Sequence, residues 1–138
     1  IYMIGLVCEN LNEINAAELY DNNITIFSNS HIAADNPNLC LFSKCMTYHF
    51  EGVLMATNLQ DAISMIDNNC CKKKIFWVQS IDWHRYSPLL YRDILKVFHN
   101  NDIKIMAKNK EVFNTLECFI REPDGIMESI DAEKILET

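Results

Sequence analysis

Glycine and proline are scarce, with three of each in 138 residues. Gly5 lies inside an apolar run, and the turn after it, Val7-Cys8-Glu9-Asn10-Leu11, holds no glycine. A dinucleotide site would need G-x-G-x-x-G there, so that the backbone can approach a pyrophosphate. An anionic Glu9 at that turn would also repel the phosphates. No P-loop sequence is present either. Nucleotide sites of the familiar NAD, FAD and ATP kinds are argued against on these grounds, and no cofactor is expected.

Other absences narrow the class further. No apolar run approaches the roughly 20 residues of a membrane span, so no membrane association is expected. Positive charge is in deficit: 12 Lys and Arg face 19 Asp and Glu, a net charge of −7 at pH 7. Nonspecific nucleic-acid binding depends on Lys and Arg neutralising phosphates, so it is not expected. Ile1 to Cys8 has no basic flank and no small-residue cleavage site, so no secretory leader is expected and a cytoplasmic setting follows by default. The four histidines, His31, His49, His84 and His99, form no H-E-x-x-H pair, and the six cysteines form no C-x-x-C. No metal site is expected. Cys8 and Cys118 fall in apolar patterns, the latter on a stripe with Phe113, Leu116 and Phe119, and are expected to be buried and reduced. Cys70-Cys71 is expected in a turn.

What is present is a chain that is 49% hydrophobic, enough for one domain with a real core, taken as residues 1–138. Its organising stretch is Lys72 to Tyr86, KKKIFWVQSIDWHRY. Three lysines lead into Ile75-Phe76-Trp77-Val78, an apolar run without polar alternation, as a strand covered on both faces requires. Before it, strands are expected at Tyr2–Cys8, Ile24–Phe27, Leu39–Phe42 and Gly52–Ala56, with a short helix at Leu11–Tyr20 and a loop at Ser28–Asn38. Ser43–Phe50 fits helix or strand equally. Asn58 is placed to cap a helix from Leu59 to about Asp67 that buries Ala62, Ile63 and Ile66.

Beyond the central strand, Ser87 and Pro88 signal a helix running to about His99, burying Leu90, Ile94, Val97 and Phe98 and stopped by Asn100-Asn101. A strand at Ile103–Ala107, a helix at Lys110–Phe119, a turn at Pro123-Asp124-Gly125 leading into Ile126-Met127, and a last helix from the Asp131 cap through Leu136 complete the order. Strands alternating with helices from Gly52 onward imply crossover units. The expected fold is α/β: a single Rossmann-like three-layer sandwich with a mostly parallel sheet.

In such sheets ligands collect beyond the carboxyl ends of the strands. The exit of Ile75–Val78 gathers Ser80, Asp82, His84 and Arg85, which form the candidate binding site; no catalytic residue is assigned. Two readings fit them. In one, Ser80 and Asp82 close a turn and Arg85 pairs with a nearby carboxylate. In the other, an Asp82–His84 pair sets a base near neutral pH, and Arg85 meets a ligand phosphate or carboxylate with its planar fork. Trp77 and Trp83 are taken as packing groups.

The segment Ile103–Ala107, the break at Lys108-Asn109, the helix Glu111–Phe119, then Pro123-Asp124-Gly125-Ile126 and Asp131-Ala132-Glu133-Lys134-Ile135, is similar to the crossing segment of two-domain (GT-B type) glycosyltransferases. There a helix leads to a P-N-G-(I/V)-D-x-E-K-(F/I) turn between the halves. The strands Gly52–Ala56 and Ile75–Val78 suit the acceptor-side half of that fold, so the likeness spans about the last two-thirds of the chain. Glu128-Ser129-Ile130 lengthen the turn, and the chain reaches Thr138 where the donor-binding half would begin.

Two functions are therefore carried forward. The first is a noncatalytic interaction or virion-associated protein, acting through a protein partner or self-association. The second, implied by the resemblance, is a glycosyltransferase-like domain binding a sugar nucleotide or acceptor, with the second half on another chain. A composition rich in Asn, Ile and Lys suggests an AT-rich, viral source such as a phage, and hence the host cytoplasm.

Overall fold

The computed structural model describes residues 3–8, 24–28, 41–81 and 91–137. Its strands are β1 (Ile4–Val7), β2 (Ile24–Phe27), β3 (Leu41–Phe42), β4 (Val53–Ala56), β5 (Lys73–Val78), β6 (Ile103–Ala107) and β7 (Gly125–Ile126). The helices are α1 (Leu59–Met65), α2 (Tyr91–Phe98), α3 (Lys110–Phe119) and α4 (Ala132–Glu137), with a 3₁₀ turn at Lys44–His49. The strands form one sheet in the order β3-β2-β1-β4-β5-β6-β7. Every pairing is parallel, so the mostly parallel sheet expected from the sequence is wholly so among the described strands.

The strand residues are apolar on both sides because both sides are covered. On one face Val7, Phe27, Leu54, Ala56, Phe76, Val78, Ile105 and Ala107 pack with the buried sides of α1, α2 and α3. On the other, Leu6, Ile26, Met55, Ile75, Trp77 and Met106 form a second core with Met127, Ile130 and, from α4, Ile135. Helices on both faces make the three-layer Rossmann-like sandwich. Each fully buried Leu, Ile or Phe here contributes about 1.5–3 kcal/mol of transfer free energy. Trp77 belongs to the core, its indole N–H donating to the Met127 carbonyl at 2.7 Å. Gly5 serves this packing: a Cβ there would sit 2.7 Å from the Phe27 ring, which makes an edge contact with Phe50.

Several expectations shift on contact with the structure. The central strand starts at Lys73, so Lys73 and Lys74 are strand residues rather than a lead-in. Lys74 is buried, and its ammonium donates to the Ile66 carbonyl at the end of α1, where a cation meets the negative end of the helix. α1 stops at Met65 and buries Leu59, Asp61, Ala62 and Met65, while Ile63 and Ile66 are only partly covered. The ambiguous Ser43–Phe50 resolves as the 3₁₀ turn.

Cys118 is exposed, not buried. The covered stripe of α3 is Val112 and Leu116, flanked by Phe113 and Ile120; two residues past Leu116 turns the helix by about 200°, away from the sheet. Phe119, at the last helical position, is 82% exposed. Cys8 is buried as expected, and Cys70-Cys71 lies in the α1–β5 connection. The helix expected at Leu11–Tyr20, the loop at 29–38 and the Ser87-Pro88 helix start with Leu90 lie outside the described residues.

The tail is held by local polar bonds. Asp124 accepts from the Ile105 N–H at 2.8 Å and from Arg121 at 2.8 Å, and Arg121 also donates to the Phe98 carbonyl at the end of α2. Asp131 accepts from the Glu133 and Lys134 amides, capping α4 as its position implied.

Candidate functional site

The strand order reverses between β1 and β4: β2 and β3 continue on one side, β5 to β7 on the other. In open parallel sheets that reversal leaves a crevice outside the carboxyl ends, the usual ligand position. The sequence-based site, at the exit of β5, lies one strand away from it. Of its residues Ser80 is exposed, just past the end of β5. Asp82, His84 and Arg85 lie outside the described residues, so nothing here brings the four together or separates them.

Three strand exits can be built in detail. At the exit of β1, Cys8 is buried and its N–H donates to the Phe27 carbonyl. At the exit of β4, Thr57 is buried and Asn58 caps α1. The Asn58 side-chain oxygen accepts from the Asp61 N–H at 2.8 Å, and its side-chain amide donates to the Asp61 carboxylate at 2.7 Å. The other carboxylate oxygen accepts from the Lys44 ammonium at 2.8 Å. The cap is thus reinforced by a side-chain pair: Asn58 accepts from the Asp61 backbone and donates to its carboxylate. Asp61 is 4% exposed at its side chain and Lys44 19%, so the pair is largely removed from water. At the exit of β6, Asn109 caps α3 by accepting from the Val112 N–H at 2.9 Å, and Glu111 stands exposed in the first turn.

Chemically, these helix entrances are already supplied with anions and acceptors of the chain's own. A phosphate arriving at α1 would meet the Asp61 carboxylate, with the cation that could attract it already engaged. Beside this cluster, between the 3₁₀ turn and α1, lies a cavity of about 170 Å³ over Val7 and Leu54, bordered by Lys44, Thr47, Tyr48 and Asn68. At the exit of β5 the chemistry is different. Gln79 Nε2 is buried and has no hydrogen-bond partner among the described residues.

Sequence reasoning missed the Lys44–Asp61–Asn58 cluster. Asn58 was legible as a cap, but the pairing of Asp61 with a lysine 17 positions earlier has no local signal. Gln79 sits in the stretch singled out, yet nothing in its neighbours marks it as unpaired. Among the described residues no group of three His, Cys, Asp or Glu side chains could hold a metal ion, and no helix is long and apolar enough to cross a membrane. Compared with family models, curated proteins and solved structures, the chain matches none.

Proposed function

We propose that this chain is a noncatalytic interaction module, a Rossmann-like domain that works through a protein partner or a second copy of itself. The observation that supports this reading is the filled entrance of α1. There the buried Asp61 carboxylate is held by the Asn58 side chain and the Lys44 ammonium, so a phosphate approaching the entrance would meet an anion whose cation is already engaged. A virion-associated role within this reading rests on the Asn- and Ile-rich composition. Calorimetric titration with UDP-glucose and ADP-glucose tests it: the expected result is no saturable heat, and saturable binding of either would overturn it.

A second reading is favoured by one observation. Gln79 Nε2 is a buried donor with no acceptor among the described residues at the exit of β5, and leaving such a group unmade costs about 1–3 kcal/mol. A ligand oxygen would relieve it, which suits the glycosyltransferase-like alternative, in which a sugar nucleotide or acceptor lies against Ser80, Asp82, His84 and Arg85. The stretch that carries that resemblance forms β6, α3, β7 and α4 in unbroken succession. If UDP-glucose does give saturable heat, Gln79→Leu and the double change His84→Ala with Arg85→Ala should each abolish it while the fold persists.

A further inference from the structure

The connection between α1 and β5 carries two adjacent thiols, and its backbone is held from within. Asn68 is buried, and its side-chain oxygen accepts from both the Cys70 N–H at 2.8 Å and the Cys71 N–H at 3.2 Å. Its amide donates to the Thr47 carbonyl on the 3₁₀ turn, so this clamp is anchored to a second element. Cys70 is exposed and Cys71 half-buried.

Covalent geometry decides which chemistry such a pair favours. Neighbouring Cα atoms are about 3.8 Å apart across a trans peptide, below the roughly 4.4 Å at which unstrained disulfides begin. A Cys70–Cys71 disulfide would be strained and readily reduced, and closing it would turn the joining peptide, whose N–H Asn68 holds together with that of the peptide before it. A larger ring, with one atom bridging the sulfurs, relaxes that constraint. Thiolates are soft ligands and select soft centres. Burial pushes the Cys71 thiol up, the Lys74 ammonium draws it back, and Cys70 is close enough to raise it slightly. A centre that removes both protons as it binds is therefore favoured over a reaction that needs a standing thiolate.

We propose that Cys70 and Cys71 form a bidentate site for a soft, thiophilic centre of the trivalent organoarsenical class. With an arsenoxide, two S–H bonds and the arsenic–oxygen double bond break. Two arsenic–sulfur bonds form and one water leaves, with no change in oxidation state. The inference is independent of the function proposed above.

The probe is phenylarsine oxide, added to the folded protein in excess 2-mercaptoethanol and followed by mass spectrometry under native conditions. The expected result is one phenylarsenic adduct per chain, removed by 2,3-dimercaptopropanol. Cys70→Ser and Cys71→Ser should each reduce the adduct to none, whereas the double change Cys45→Ser with Cys118→Ser should leave it at one. Circular dichroism confirms that each variant is folded, and Cys70→Ala gives a second test at the exposed position. Failure of the wild-type protein to form the adduct, or an adduct that survives in folded Cys70→Ser and Cys70→Ala, overturns the proposal.

Discussion

The entrances to α1 and α3 begin alike and end differently. Each follows a parallel strand, each is capped by an asparagine whose side-chain oxygen accepts from the third helical amide, and each carries an acidic residue in its first turn. At α1 that residue is Asp61, 4% exposed at its side chain and paired with Lys44. At α3 it is Glu111, exposed to water. Cap and carboxylate alone therefore do not define the role of a helix entrance. What separates them is a neighbour from elsewhere in the chain: the 3₁₀ turn lies over α1 and delivers a lysine. A carboxylate removed from water needs that cation, whereas one left in water needs only the weak favour of the helix dipole.

Substitutions would break or sharpen this contrast. Asp61→Ala should have the largest effect, about 3 kcal/mol by urea denaturation, because it removes a buried carboxylate to which both the Lys44 ammonium and the Asn58 side-chain amide donate. Asp61→Asn should recover part of that loss, since an amide oxygen can still accept from Lys44. Asn58→Ala should cost about 1–2 kcal/mol and Asn109→Ala about 1 kcal/mol, the excess at Asn58 reflecting its second bond to Asp61. Glu111→Gln should stay within about 0.5 kcal/mol, as exposed changes usually do. If Asp61→Ala proves no more costly than Glu111→Gln, the two entrances are energetically equivalent and the contrast fails. The smallest expected effect concerns the thiols: the native protein should show the same mass with and without reductant, and a brief iodoacetamide pulse should label Cys70 and Cys118 while sparing Cys8. Labelling of Cys8 at the same rate would mean that the β1 exit opens.

Much of the sheet was legible because its signal is local. Ile75 to Val78 is apolar at every position, which only a strand covered on both faces supports, and β5 does lie between β4 and β6. Asn58 and Asp131 were legible as caps because a cap bonds to amides two or three residues away. Apolar identity places Cys118 on the α3 stripe, but helical angle turns it away, and the apolar run that marks the central strand begins only at Ile75, two residues after the strand itself. The long stem of Lys74 lets the ammonium reach the Ile66 carbonyl from a buried position.

By itself the sequence determined the class: alternating strands and helices, a two-faced core, and no glycine-rich turn after β1 for a dinucleotide. Those properties depend on residue type and on spacings of a few positions. The tertiary structure alone decided where the strand order reverses, which carboxylate is buried, which lysine reaches it, and that Gln79 carries a buried donor with no partner among the described residues. Each of these joins residues far apart in the chain, or depends on what surrounds a single atom. Such relations come from how elements stack, and no local pattern encodes them.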